Sequence, residues 1–261
     1  MSYPDLTSFK ALSFDVYGTL INQEPGMIRG LQPILSRLPD DSPYKTNPLS
    51  LMQRFSVFYR SLAANEPTLR FNIILQHSFK DLADELGVNV SEPDIQEIGN
   101  TPGTWEPFPD TIAGMQALQK YYKLIAVTNM DNANAAATMK RLQPAQFDKV
   151  YTAEDIGNYK PAKANFNYLF EHVKSDLQIN RDQGELLHVA RSLIADHVPA
   201  KQLGLPSVWI CRGGDKKEGY GTGGDYEELK HDVAFEWKFD NIADFAEEVE
   251  RQFGPTASQY R

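Results

Sequence analysis

Apolar positions fall in short, nearly continuous runs at residues 11–17, 124–128, 186–190 and 207–211, each closed by turn-forming residues. Runs of this length, without the alternation of a half-exposed strand, predict strands buried on both faces of a parallel sheet. Helical periodicity separates them. Residues 132–142 follow the second run, and 162–177 precede the third, with Phe166, Leu169, Phe170 and Val173 on one face. Strands alternating with helices predict a doubly wound α/β sheet, a Rossmann-like core.

The first two runs lie much further apart than one crossover requires. Between them, residues 21–109 hold no comparable strand run and instead show helical patterns at 27–38, 49–63 and 71–86. Gly87 follows the last of these as a natural stop, and Pro102, Pro107 and Pro109 punctuate the return. The expected organisation is a core of 1–20 and 110–261 with a helical cap over 21–109.

Composition narrows the partners. A chain of 261 residues accommodates one α/β core with a smaller insertion. Its net charge of -9 argues against sequence-independent binding to nucleic acid, which needs a basic face, yet a few local cations suffice for a small anionic substrate. The single cysteine, Cys211, cannot close an internal disulfide, and the opening MSYPDLTSFKALSF has no apolar run of the signal-peptide kind. No stretch reaches the ~20 consecutive apolar residues of a membrane span. A cytoplasmic protein with no membrane partner is expected; the sequence allows a homodimer without specifying one.

Candidate chemistry gathers at the ends of the apolar runs. ALSFDVYGTL at 11–20 delivers Asp15 to a strand's carboxyl end, where open α/β sheets bind their ligands, and Gly18 permits a tight turn there. The same residues also suit a plain strand-ending turn. IAVTN at 125–129 supplies Thr128 and Asn129 ahead of a helix starting near Asp131, where side-chain donors and free backbone N–H groups can meet an oxyanion or merely cap the helix. GNYKP at 157–161 brings Lys160, either solvated punctuation or a fixed cation facing Asp15. At roughly 4 Å and an effective dielectric near 20, that pair is worth about 4 kcal/mol before desolvation. HVARSLIAD at 188–196 adds a second carboxylate, Asp196.

Taken in order, these segments resemble the four-motif signature of the haloacid dehalogenase superfamily, and the insertion falls where that family's helical cap belongs. The resemblance implies a hydrolase with Asp15 as covalent nucleophile, Lys160 keeping it ionised, and Thr128 and Asn129 holding the substrate's leaving or carboxylate group. Phosphatases of the superfamily carry Gly-Asp before the serine of the fourth motif, and that aspartate ligates magnesium. Here Ala190 and Arg191 stand there. Hard cations need oxygen ligands, so no metal and no cofactor is expected. FDVYGTL at 14–20 and the 188–209 segment are similar to the metal-independent dehalogenases, in which the aspartate displaces halide from carbon and water then hydrolyses the ester.

The expected reaction is therefore conversion of short 2-haloacids to 2-hydroxyacids. Asp15, Lys160, Asp196 and Thr128 are the expected catalytic residues, and Tyr17, Thr19, Asn129, Arg191 and Ser192 the substrate contacts. For the family's halide-binding cap arginine the candidate is Arg54, with Arg29 and Arg60 as rivals. One departure stands out: the dehalogenases place a tyrosine six residues beyond the motif lysine, and here that residue is Phe166. The alternatives are a phosphatase with an altered metal site and a non-catalytic binding protein; retention of Asp15, Lys160 and Asp196 together argues against the latter.

Other signals are weaker. Residues 219–224, GYGTGG, match the letter of a dinucleotide-binding fingerprint but sit in a polar run, which predicts a loop. His188 reads as a packed core residue and His197 as a helix-start residue or an orienting partner of Asp196. Cys211 reads as a buried thiol, and Trp105 and Phe108 as pocket lining or linker anchors.

Overall fold

The computed structural model describes residues 5–213 and 223–254. Six parallel strands form one sheet in the order β3-β2-β1-β4-β5-β6. They are β1 Ala11–Phe14, β2 Lys123–Thr128, β3 Lys149–Thr152, β4 Leu186–Ala190, β5 Ser207–Ile210 and β6 Trp237–Phe239. β1 is buried throughout and pairs with β2 on one side and β4 on the other. The chain builds outward from β1 first through β2 and β3, then on the opposite side through β4 to β6. That reversal of direction opens a crevice at the carboxyl end of β1.

Two strands escaped the reading of apolar runs. KVYT of β3 and WKF of β6 are edge strands that carry lysines and bury only part of their length. They exist because β2 and β5 offer them a hydrogen-bonding edge. β1 is shorter than its apolar run, because the chain turns away at Asp15 to reach Gly18, which takes φ +85.

The segment between β1 and β2 is helical, with main helices Gln23–Gly30, Pro48–Asn65, Phe71–Glu85 and Glu92–Asn100. The continuous helix expected over 27–38 is broken: Gln23–Gly30 ends, and a short turn, Gln32–Leu35, restarts with Pro33 in its first turn. Phe71–Glu85 buries Phe71, Ile74, Leu75, Phe79 and Leu82 along one stripe. It stops where Gly87 takes φ +64 and the Val88 N–H donates to the Ala83 carbonyl at 2.9 Å. Glu92–Asn100, absent from the sequence reading, starts with a capping box between Ser91 and Asp94. Among the described residues, no helix is long and apolar enough to cross a membrane.

Exit and return lie side by side. The Phe108 N–H donates to the Leu20 carbonyl at 3.0 Å and the Asn22 N–H to the Glu106 carbonyl at 2.8 Å. The helices are then pinned to the sheet side by polar contacts. Asp131 accepts from the Asn72 N–H at 3.1 Å, Asn134 accepts from the Gly103 N–H at 2.9 Å, and the Tyr159 hydroxyl donates to the Leu69 carbonyl at 2.5 Å. One apolar cluster runs through both parts, joining Phe14 and Leu12 of β1 to Phe55 and Phe79 of the insertion.

Gly26 marks the closest approach in this joint. A Cβ there would overlap the indole of the buried Trp105. Glycine-to-alanine in a helix interior ordinarily stabilises by about 0.5–1 kcal/mol. The overlap reverses the sign, so Gly26→Ala is expected to lower stability by about 1–3 kcal/mol in urea unfolding. An unchanged or raised midpoint would show that the indole yields freely.

Candidate active site

Asp15 leaves β1 at its carboxyl end, its N–H donating to the Val189 carbonyl of β4 at 3.1 Å. The carboxylate is nearly enclosed, with the residue 7% exposed, and both of its oxygens are held. Thr19 Oγ1 donates to Oδ2 at 2.7 Å and itself accepts from the Arg191 N–H at 2.9 Å. Lys160 Nζ donates to Oδ1 at 2.8 Å. The same ammonium donates to Asp196 Oδ1 at 2.7 Å, so one cation bridges two carboxylates.

Behind Asp196 the network continues inward. His188 Nε2 lies 3.0 Å from Asp196 Oδ1, and Ser13 Oγ lies 2.9 Å from His188 Nδ1. A carboxylate only accepts, so Nε2 carries the proton, and in the neutral ring Nδ1 accepts from the Ser13 hydroxyl. His188 is thus packed in the core, as expected of it, but also wired to the site. Phe166 packs its ring 5.5 Å from that imidazole and supplies no hydroxyl. A single π-helical turn, Leu193–His197, capped by Ser192 through the Ala195 N–H at 3.0 Å, carries Asp196 back under the lysine.

Burial pushes the Asp15 carboxyl up; Lys160 pulls it down and Asp196 pushes it up again, leaving it above the usual carboxylate range. Asp196 goes the other way. Burial pushes it up, but Lys160 and His188 hold it at about 2. Burial alone would lower Lys160, and the two carboxylates keep it above its ordinary value. Asp15 remains the more basic of the two carboxylates, which suits a nucleophile.

The other expected residues sort by position. Tyr17, Thr128, Asn129, Lys160, Arg191 and Ser192 line, with Asp15, a chamber of about 470 Å³ whose facing wall comes from the insertion. Thr19 and Asp196 do not line it: both are fully buried behind the reacting face, so Thr19 holds Asp15 rather than a substrate. Asn129 grips the lysine's backbone, accepting from the Lys160 N–H at 2.7 Å and donating to its carbonyl at 3.1 Å. Arg54 requires correction. It pairs with Glu85 and lies over the Phe58 ring, away from the chamber, whereas its rival Arg60 lines the chamber. Six helical residues rotate a side chain by about 240°, so the two cannot share a face. Arg29 is exposed on its helix and also lies off the chamber.

His197 braces the end of β4, with Nε2 2.9 Å from the Ala190 carbonyl oxygen and Nδ1 2.9 Å from Ser207 Oγ; burial holds it down at about 4. It does not touch Asp196 by hydrogen bond, so the orienting role falls to His188. Cys211 is buried and pushed up to about 11, chiefly by that burial. Trp105 packs beside Tyr17 with ring centroids 4.8 Å apart, anchoring a chamber wall from behind. The 219–224 glycine motif falls mostly outside the described residues.

One residue went unnoticed in the sequence. Arg212 sits just past β5, stacked over the Phe108 ring at 3.9 Å. Its Nη2 donates to the Thr19 carbonyl at 2.8 Å and its Nη1 to Asp110 at 2.6 Å. It thereby ties the loop that holds Asp15 to the return of the insertion. Its place at a strand's carboxyl end was the available signal, the same one that marked Asp15.

The donors do not suit a magnesium ion. Among the described residues that line the chamber, Asp15 is the only carboxylate, and an ammonium already occupies one of its oxygens.

A parallel sheet with a buried carboxylate and ammonium at its switch point and a helical insertion beside them is the arrangement of a class of α/β hydrolase. The chain belongs to the haloacid dehalogenase-like hydrolase family, whose model matches residues 9–189. In structure it is similar to an L-2-haloacid dehalogenase at 23% identity, with 92% of this chain and 99% of that chain covered and a TM-score of 0.71. The Xanthobacter autotrophicus L-2-haloacid dehalogenase with chloropropionic acid covalently bound is similar at 17% identity, covering 93% and 98% with a TM-score of 0.70. A putative hydrolase of the same superfamily from Bacillus subtilis, bound to magnesium, is similar at 17% identity, covering 93% and 99% with a TM-score of 0.67. At these identities the likeness establishes a shared fold. No curated protein matches the chain in sequence.

The bridging ammonium generates a prediction with a definite sign. In Lys160→Met, burial acts on the two carboxylates against Thr19 alone at Asp15 and His188 alone at Asp196, raising both folded values. The folded state then binds more protons than the unfolded chain, so the variant gains stability as pH falls through those values. At pH 7 the loss relative to wild type is expected to be about 3–5 kcal/mol. Urea unfolding followed from pH 7 towards pH 4 should show the gap narrowing; a gap independent of pH would remove the ion-pair explanation.

Proposed function

We propose that the protein hydrolyses the carbon–halogen bond of a 2-haloacid through an ester on Asp15. The observation that carries this reading is the placement of Asp15: buried, made more basic by that burial, held by Lys160, and facing a chamber whose further charged groups are arginines. A carboxylate so placed is a nucleophile for carbon. Arg191, Ser192 and Thr128 lie at the core end, where they can orient a substrate carboxylate beside Asp15.

In the first step an Asp15 oxygen attacks C2, and the carbon–halogen bond breaks with its electron pair leaving on halide. Arg60, on the insertion's wall, replaces Arg54 as the candidate to stabilise that departing anion. In the second step water attacks the Asp15 carbonyl carbon. Negative charge then develops on an oxygen beside the Lys160 ammonium, a preorganised donor of the oxyanion-hole kind. Collapse expels the 2-hydroxyacid with one former Asp15 oxygen and releases a proton. The covalent chloropropionic acid adduct in the Xanthobacter autotrophicus enzyme supports the same order of events.

Multiple turnovers of a 2-haloacid in oxygen-18 water should label the peptide containing Asp15, and fragmentation should place the label on that residue. Turnover with an unlabelled Asp15 sinks the ester mechanism. Asp15→Asn should abolish turnover with the fold intact, checked by mass against deamidation.

Activity should also persist in EDTA, because Arg191 stands where the magnesium ligand of a related phosphatase would be. Loss in EDTA restored by added magnesium would overturn the metal-free scheme. Arg191→Asp is expected to lower kcat/KM for halide release about a hundredfold or more.

A further inference from the structure

The chamber is larger than a short haloacid requires, and its walls are not uniform. Its volume of about 470 Å³ falls in the range of sites that hold drug-sized ligands. A three-carbon 2-haloacid, with about six non-hydrogen atoms, would leave more than half of that space wet. Polar groups crowd the core end around Asp15, Lys160 and Arg191. The opposite wall, apart from Arg60, is apolar, formed by Ala63 and Pro67 together with a run of aromatic rings. Tyr59 and Phe71 meet edge to face at 6.2 Å between centroids, and Phe71 meets Tyr159 at 6.4 Å. The Tyr159 hydroxyl is spent on the Leu69 carbonyl, so its ring is fixed in place.

Water against such a wall is poorly held, whereas an apolar body that displaces it gains its burial energy, and an aromatic one also gains ring-edge contacts. We infer that the natural substrate is a 2-substituted carboxylate carrying an aromatic or similarly bulky apolar body, with the acid end at Arg191 and the body against Tyr59, Phe71 and Tyr159. The inference rests on the dehalogenase reading for its chemistry but on the chamber alone for its size. The reaction balances as before: the arylalkyl haloacid and water give the arylalkyl hydroxyacid, halide and a proton.

Halide release from 2-bromo-3-phenylpropanoate and 2-bromopropanoate should differ in kcat/KM by at least about tenfold in favour of the phenyl acid. Calorimetric titration of the same enzyme with unreactive 3-phenylpropanoate and propanoate should show a preference of the same direction. Ala63→Phe, which fills the apolar end, should shift the kinetic ratio towards 2-bromopropanoate by at least about tenfold. Equal or better turnover of 2-bromopropanoate, with no tighter binding of 3-phenylpropanoate than of propanoate, overturns the inference and leaves the dehalogenase reading standing. Selective binding of 3-phenylpropanoate without halide release from any haloacid does the reverse.

Discussion

The Lys160 ammonium between Asp15 and Asp196 is the interaction around which the rest is arranged. A buried cation with two buried carboxylates is costly unless every group is held, and here almost every neighbouring element contributes. Asn129 at the end of β2 clamps the lysine's backbone; His188 of β4, backed by Ser13 of β1, shares Asp196. Thr19 holds the far oxygen of Asp15, and Arg212 holds Thr19 in turn. The asymmetry of this triad matters for chemistry. Asp196 is stabilised by two donors on one oxygen and stays far down its titration, so Asp15 carries the more basic charge towards the chamber.

The insertion completes what the triad begins. Polar locks through Asp131, Asn134 and Tyr159 set the helices over the crevice, and the shared apolar cluster makes that seat part of the core. The chamber between them has its fixed charges gathered at the core end and a facing wall that, Arg60 apart, is apolar and aromatic. Burial at the core end strengthens each fixed charge there. Asp15 therefore stands on the core while Arg60 and most of the apolar wall stand on the insertion, and Arg212 with Phe108 couples the loop of the first to the root of the second.

Much of this was legible from residues alone. The four central strands are buried apart from Lys123 at the start of β2, so their apolar runs announce them, and chemistry at a strand's carboxyl end follows from the geometry of parallel sheets. Asp15 and Asp196 were readable because each ends or follows such a run, and Lys160 because its Lys-Pro stands between them in the order of the four motifs. The missed strands β3 and β6 lie at the edges, where a lysine is tolerated and the partner's free hydrogen-bonding edge, not the local sequence, creates the strand.

The sequence by itself determined the layered α/β core, the presence of a helical insertion, and the identity of the groups that meet at β1. Only the tertiary structure decided which side chains face one another. Periodicity shows that the Pro48–Asn65 helix is amphipathic but not which flank overhangs the crevice, so Arg54 and Arg60 looked alike until packing set the exposed Arg60 at the chamber and gave Arg54 to Glu85. The bond between His188 and Asp196, the retreat of Thr19 behind Asp15, and the size of the chamber are likewise products of contacts made across the sheet. They depend on how far apart elements sit in space, a quantity that local pattern does not carry.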